Sequence, residues 1–128
     1  MSASAALWLA VAVGGALGSV ARFGAGLFGR GVAPGWPWGT LFVNVLGSLL
    51  IGVLVGWFGL RPAPDAVRLG LITGVLGGFT TFSAFSMETI EMLRAGDVVA
   101  GAVYVAVSLV LGLAACALGL WATRAVLG

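Results

Sequence analysis

The chain has 128 residues, of which 61% are hydrophobic and 8% are charged, with a net charge of +2. A soluble domain averages about 45–50% apolar and about 25% charged residues, and a small globule cannot bury such an apolar excess, so the chain must lie in lipid. The absence of histidine and the single cysteine, Cys116, exclude histidine metal sites, Ser-His-Asp triads and intrachain disulfides, and the scattered arginines exclude a nucleic-acid patch.

Four apolar stretches are each long enough to cross a bilayer, whose hydrocarbon core of about 30 Å takes ~20 helical residues. They run over about 5–28, 38–60, 69–87 and 98–126, and all four prolines lie in the connectors between them. The runs are continuous rather than alternating, which is typical of helices and not of a β-barrel. The sequence therefore predicts an all-α integral membrane protein, with residues 1–128 forming one domain of four transmembrane helices.

Small residues recur at helical spacing in the spans. Gly14 and Gly18 are four apart in the first span, and Gly52 and Gly56 are four apart in the second. Such pairs let two helix backbones approach closely, either within one subunit or between two copies of the chain. Four helices are too few to enclose an aqueous pathway, so the small size and these residues together favour a homodimer.

The arginines are evenly divided between the two sides of the membrane that four spans define. Each side receives three: Arg61, Arg68 and Arg124 on one, and Arg22, Arg30 and Arg94 on the other. Orientation follows an excess of positive residues in cytoplasmic loops, and here there is none. The balance therefore predicts insertion in both orientations.

Polar side chains in the second span need partners. Thr40 and Asn44 lie on one helix face, and a buried amide in lipid costs several kcal/mol unless it is hydrogen-bonded. Asn44 therefore either bonds a neighbouring helix or donates to an anion. Arg22 and Glu88, near the ends of the first and third spans, either reach the interface or line a vestibule.

The middle of the third span suits a helix poorly. Gly77 and Gly78 precede Thr80 and Thr81, and both glycine and β-branched residues have low helix propensity. A break here would release backbone carbonyls at mid-membrane, which suit a hard cation such as Na⁺. The alternative is a regular helix with closely packed glycines and hydroxyls bonded to their own turn, and helix physics alone favours it.

Rings and hydroxyls alternate after that point and recur in the fourth span. Phe82 and Phe85 share a helix face with Ser83 beside them, and Tyr104 and Ser108 share a face further on. Phenylalanine in a span is ordinarily apolar filler, although its positive ring edge can face an anion. The central half of each span holds no Lys, Asp or Glu, which coupled pumps usually require. The pattern predicts passive conduction of a small anion.

Three segments resemble the motifs of the Fluc, or CrcB, fluoride channel family. Residues 14–23 resemble the motif of its first helix, 39–48 that of its second, and 77–88 its third-helix signature. The similarity follows the whole chain in order, and the third segment is the most specific. The resemblance implies a fluoride-selective channel, not an enzyme, that exports cytoplasmic fluoride passively through the inner membrane and so lowers its toxicity.

The resemblance also implies an antiparallel, dual-topology homodimer with two pores and a third helix broken near its middle. It implies a structural Na⁺ at the centre of the dimer interface, held by the backbone carbonyls of Gly77 and Thr80. The family motif and the polar residues beside it together predict this fluoride pathway: Asn44, Phe82, Phe85, Ser83, Tyr104, Ser108 and Thr40. Arg22 and Glu88 are predicted vestibule residues, and Ala84 and Gly112 depart from the hydroxyls expected in many members.

The main alternative is a small proton-coupled exporter of cationic compounds, of the four-helix multidrug type. Such proteins are similar in size and charge balance, but they rely on a membrane-embedded carboxylate in the first helix. The first span here contains no acidic residue.

Overall fold

The computed structural model describes residues 2–128, which are helical apart from short connectors and contain no β-strand. Four helical stretches are long and apolar enough to cross a membrane: α1 (Ala3–Val32), α2 (Trp38–Leu60), a third from Asp65 to Arg94, and a fourth over Val98–Leu127. The all-helical, four-span prediction is confirmed. A 30-residue helix is about 45 Å long, so α1 is longer than the hydrocarbon core of about 30 Å.

The third span consists of several pieces. They are α3 (Asp65–Leu69), a π-helical segment (Gly70–Leu76), α4 (Gly77–Phe79) and, after two non-helical residues, α5 (Phe82–Arg94); the fourth span is α6 (Val98–Leu127). In the π-helical segment each hydrogen bond spans five residues in place of four, and no local sequence pattern predicted it.

The chain bends between α4 and α5. Thr80 (φ −84°, ψ 157°) and Thr81 (φ −151°, ψ 114°) both have extended backbone conformations. Thr81 is the N-cap of α5, because its Oγ1 accepts a hydrogen bond from the Ala84 amide at 3.1 Å. The bend therefore lies at the threonine pair that follows the two glycines.

Glycines allow close packing between α1 and the first half of the third span. A Cβ on Gly14 would overlap the carbonyl oxygen of Gly70, and one on Gly18 would overlap that of Val75. A Cβ on Gly74 would lie only 2.9 Å from the carbonyl oxygen of Val11. These backbones therefore touch directly, which requires glycine at each position.

The extensive interface between α2 and α6 is built in the same way. A Cβ on Gly52 would overlap the Cys116 carbonyl, and one on Gly56 would lie 3.0 Å from Cβ of Thr123. On the α6 side, a Cβ on Gly119 would overlap the carbonyl oxygen of Leu49 in α2. Of the two uses that the sequence left open, these glycines serve packing within one subunit, so their spacing carries no evidence for a dimer.

Few side chains of residues 2–128 are buried within the chain itself. Tyr104 is completely buried and Val43 nearly so, whereas most large apolar side chains lie on the outside, including Phe82, which is 78% exposed. Such an outward apolar surface suits a protein that is covered by lipid or by another copy of itself.

Candidate functional site

A reciprocal pair of hydrogen bonds joins α2 to the bend in the third span. Asn44 Nδ2 donates to the Thr81 carbonyl at 3.0 Å, and the Thr81 amide donates to Asn44 Oδ1 at 2.8 Å. The orientation of the amide is fixed, because a backbone N–H can only donate and must therefore face Oδ1. Of the two roles that the sequence left open for Asn44, the structure places its side chain between helices.

This pair and the N-cap redirect two backbone amides. In a continuous α-helix the Thr81 amide would donate to the Gly77 carbonyl, and the Ala84 amide would donate to the Thr80 carbonyl. Here they donate instead to Asn44 Oδ1 and to Thr81 Oγ1. The carbonyls of Gly77 and Thr80, which the family resemblance assigns to Na⁺, are two of the four carbonyls at positions 77–80 that lose a helical amide at the bend.

The neighbouring carbonyls receive side-chain donors. Arg22 Nε reaches across from α1 to the Gly78 carbonyl at 3.0 Å, and Asn44 occupies that of Thr81. Within residues 2–128, no side-chain hydrogen bond reaches the carbonyl of Gly77 or Thr80. Arg22 thus bonds the backbone beside the bend, and its predicted place in a vestibule stays a prediction.

A groove of about 460 Å³ opens on one side of the bend. Of the predicted site residues it is lined by Asn44, Gly77, Thr80, Phe82, Phe85 and Ser108. No charged residue of the described chain lines this groove. The buried Ser108 Oγ has no hydrogen-bond partner among residues 2–128, so its hydroxyl is available to a polar occupant.

Aromatic rings continue from this groove toward the connector before α2. The centroids of Phe82 and Phe85 are 5.7 Å apart, and those of Phe85 and Tyr104 are 5.3 Å apart. Trp36 then meets Tyr104 edge to face at 5.9 Å. Trp36 was absent from the predicted pathway, although a tryptophan at a span end is a recognisable interfacial signal.

Glu88 joins three helices. Its Oε1 accepts from Thr40 Oγ1 at 2.6 Å and its Oε2 accepts from the Tyr104 hydroxyl at 2.7 Å. These bonds join α5 to α2 and α6, so Glu88 fixes the helix that carries Phe82 and Phe85. The hydroxyl protons of Thr40 and Tyr104 are directed at this carboxylate, and their part in a fluoride pathway stays a prediction.

A second concave region, of about 440 Å³, lies on the other side of the bend. Arg22, Arg30, Glu88, Trp36 and Thr81 are among its lining residues. Two guanidinium groups give it a positive character that would attract anions. The arrangement brings the two predicted vestibule residues into one cavity, although Arg22 and Glu88 do not bond each other.

Ser83 and Thr81 complete the description of the bend. Ser83 is exposed, and its Oγ lies 3.2 Å from Thr81 Oγ1. Thr81 itself was no predicted site residue, yet both its backbone groups and its hydroxyl hold the bend. A threonine directly before an apolar helical run is the N-cap signal that could have identified it. Ala84 contributes its amide to this cap and its side chain to the wall of the second cavity.

The fold and this arrangement define a multi-pass integral membrane protein with an uncharged groove beside a bend in its third span. Residues 9–120 match the family described as "CrcB-like protein, Camphor Resistance (CrcB)". The chain belongs to this CrcB family, which confirms the resemblance seen in its motifs.

Named relatives are similar over nearly the full chain. A protein of Hyphomonas neptunium named "Fluoride-specific ion channel FluC" is 52% identical over 120 residues, which cover 91% of this chain and 94% of the relative. "Fluoride-specific ion channel FluC 1" of Nitrobacter hamburgensis is 49% identical over 118 residues, covering 91% and 94%. The protein of Bordetella petrii with the first of these names is 49% identical over 119 residues, covering 92% and 91%.

Proposed function

We propose that this protein is a fluoride-specific ion channel that lets fluoride leave the bacterial cytoplasm passively through the inner membrane, and so lowers its toxicity. The names of the relatives support fluoride as the conducted ion. The family match over residues 9–120 shows that this similarity extends over most of the chain. An interior-negative potential favours the exit of an anion by about 2.3 kcal/mol per 100 mV, so an uncoupled pore is sufficient for export.

The observation that carries the proposal is the uncharged groove with Ser108 and the two phenylalanines along it. Fluoride is small and strongly hydrated, so it needs close donors in place of water. The free Ser108 hydroxyl and the positive ring edges of Phe82 and Phe85 supply neutral donors. A full positive charge at that depth would bind the ion too tightly to release it, whereas neutral groups let it move on.

The other predicted pathway residues extend this route. Tyr104 continues the line of rings beyond Phe85, and Ser83 lies at the exposed side of the bend. The cavity that contains Arg22 and Arg30 serves as the vestibule, because its positive charge raises the local concentration of anions before they reach the neutral section.

The same proposal includes a structural Na⁺ held by the carbonyls of Gly77 and Thr80. Neutral backbone oxygens suit a hard monovalent cation, and these two carbonyls are the ones whose helical amides are directed elsewhere. Among the described residues no three His, Cys, Asp or Glu side chains form a metal-binding group, so backbone oxygen is the fitting donor. When bound, Na⁺ would supply a positive charge beside the carbonyls of the bend.

The proposed assembly is an antiparallel homodimer. One chain offers two such carbonyls, so a second copy is required to surround a cation, and the exposed ring of Phe82 would then line a pathway between subunits. The three-against-three division of arginines supports insertion in both orientations. C-terminal tags should be detected on both sides of the membrane in similar amounts, and detection on one side alone would contradict the antiparallel arrangement.

Fluoride efflux from liposomes that contain the purified protein tests the function directly. We expect rapid fluoride release with a potassium ionophore present, and little release of chloride under the same conditions. Equal release of both ions, or none above protein-free liposomes, would contradict a fluoride-specific channel.

A proton-coupled exporter of cationic compounds is not supported. The acidic residues are Asp65, Glu88, Glu91 and Asp97, and none of them lies in α1. Fluoride flux should carry net charge and follow voltage when the pH is equal on both sides. Uphill fluoride movement driven by a pH gradient alone would require coupling and contradict the channel.

A further inference from the structure

The bend in the third span is held by two side-chain acceptors, which replace two of the helical hydrogen bonds lost there. Asn44 Oδ1 takes the amide of Thr81, and Thr81 Oγ1 takes the amide of Ala84. Neither acceptor belongs to the backbone of the third span. The bend is therefore fixed by two side chains, one on α2 and one at the N-terminus of α5, rather than by low helix propensity alone.

The two diverted amides correspond to two particular carbonyls. An amide donates to the carbonyl four residues earlier, so diverting the amides at positions 81 and 84 releases the carbonyls at positions 77 and 80. The Gly78 and Thr81 carbonyls, by contrast, each receive a side-chain donor, from Arg22 and from Asn44. Side chains thus cover the Gly78 and Thr81 carbonyls, whereas those of Gly77 and Thr80, like that of Phe79, receive no side-chain donor within residues 2–128.

We propose that Asn44 and Thr81 are positioning residues for the cation: by capturing two backbone amides they release the Gly77 and Thr80 carbonyls to bind Na⁺. This inference rests on the proposed function, specifically on its Na⁺ site. It adds that cation binding depends on two side chains that never touch the cation. Asn44 then has two separate roles. Its Oδ1 accepts the Thr81 amide at the bend, and the second hydrogen of Nδ2 can be donated to an ion in the groove.

A purely structural role makes a different prediction. If Thr81 only stabilises the fold, Thr81→Val lowers the melting temperature equally in Na⁺ and in K⁺. If Thr81 positions the carbonyls, the Ala84 amide can return to the Thr80 carbonyl in this variant. The melting temperature in K⁺ then stays close to that of the wild type, and the additional stabilisation by Na⁺ is lost.

The experiment measures the melting temperature of the purified protein in detergent against Na⁺ concentration, with K⁺ keeping the ionic strength constant. We expect a Na⁺-specific rise for the wild type, and at least a tenfold higher Na⁺ midpoint for Thr81→Val and for Asn44→Leu, since each loses one acceptor. Thr81→Ser retains the hydroxyl and should restore the wild-type response. Thr123→Val is the matched control, because Thr123 is equally buried but bonds its own helix at Gly119.

Two further measurements separate the cation site from conduction. Hydrogen exchange at the Ala84 amide should remain slow in Thr81→Val, because the amide gains the Thr80 carbonyl; fast exchange would contradict the mechanism. Asn44→Asp retains an oxygen that accepts from the Thr81 amide, so its Na⁺ response should persist while fluoride flux is lost to the negative charge.

An unchanged Na⁺ midpoint in both Thr81→Val and Asn44→Leu would overturn the inference and leave the Na⁺ site standing. A wild type without any Na⁺-specific rise would overturn the inference together with the Na⁺ site. Neither outcome affects the channel itself, which depends on fluoride flux in liposomes.

Discussion

The two halves of the third span meet their neighbours by different means. Before the bend, the π-helical segment lies backbone to backbone against α1, with Gly70 and Gly74 facing Gly14. At the bend, the contact with α2 is a pair of hydrogen bonds between Asn44 and Thr81. The first region keeps its helical hydrogen bonds, and its contact with α1 depends on close packing of the two backbones. The second region replaces helical hydrogen bonds with bonds to side chains, which leaves some backbone carbonyls without a donor.

The two adjacent glycines mark the boundary between these regions and serve different purposes. A Cβ on Gly78 would lie 2.5 Å from the Gly15 carbonyl and 3.0 Å from the Ser19 amide nitrogen. A Cβ on Gly77 would have only the Ile72 carbonyl nearby, at 3.9 Å. Gly78 therefore belongs to the packed region, as in the close-packing alternative that the sequence allowed, while Gly77 belongs to the bend.

The largest expected effect is that of Gly14→Ala in the packed region. The added Cβ would overlap the Gly70 carbonyl and lie 3.0 Å from the Val75 amide nitrogen, both of which are backbone atoms that cannot move aside cheaply. Overpacking of this kind costs about 1–3 kcal/mol or more. We expect a strong loss of monodisperse protein in size-exclusion chromatography.

The adjacent Gly15→Ala is the matched control for that substitution. A Cβ on Gly15 would meet nothing within 4 Å, and alanine stabilises a helix interior relative to glycine by up to about 1 kcal/mol. Its yield should equal or exceed that of the wild type. Equal losses in both variants would show that shape complementarity does not hold this half of the span.

Gly78→Ala and Gly77→Ala should differ in their effect on stability, because only Gly78 belongs to the packed region. We expect Gly78→Ala to cost about 1–3 kcal/mol by overpacking against α1, measured as a lower melting temperature in both Na⁺ and K⁺. Gly77→Ala has space within the subunit, so its melting temperature in K⁺ should stay unchanged. Any loss of its Na⁺ response would then originate between two copies, and identical behaviour of the two variants would contradict the division.

Phe82→Ile and Phe85→Ile test the groove beside the bend. Isoleucine keeps apolar bulk but removes the positive ring edge, so each variant should reduce fluoride flux on the order of tenfold or more, equivalent to about 1.4 kcal/mol of barrier. Phe82 is 78% exposed in one subunit, so its replacement should leave folding nearly intact. Flux is measured per correctly folded protein, and normal flux in both variants would show that the rings only pack.

The smallest expected effect is that of Thr80→Ser. Serine retains the backbone carbonyl and the hydroxyl that donates to the Leu76 carbonyl at 2.9 Å. The variant loses the methyl group that lies against Gly47, worth about 0.8 kcal/mol if fully buried. Both fluoride flux and the Na⁺ response should remain near wild type, and loss of either would assign the methyl a role that the carbonyl does not explain.

The sequence identified the spans more readily than their ends. Apolar runs mark where a chain crosses hydrocarbon, but helical hydrogen bonds continue into polar residues, so the third helical stretch extends outward to Asp65 and Arg94. The π-helical segment was not predicted, because it accompanies a tertiary contact between glycines of two spans rather than a local propensity. Local patterns could not identify which helix each glycine would meet.

The site residues were identified more readily than their bonds. Asn44 and Glu88 stand out as polar residues in apolar spans, which is a signal in the sequence itself. Their partners are far away in the chain, since Asn44 reaches Thr81 and Glu88 reaches Thr40 and Tyr104. Composition can show that such groups must be satisfied, but only the packing of the helices determines which groups satisfy them.

The dependence of the bend on Asn44 has a consequence for the order of assembly in the membrane. Before α2 docks, an open bend would expose the Thr81 amide to hydrocarbon without an acceptor, at a cost of several kcal/mol. The third span is therefore expected to enter the bilayer as an unbroken helix and to open when Asn44 Oδ1 arrives to accept this amide. On this expectation the bend forms late, after insertion, when the spans dock against one another.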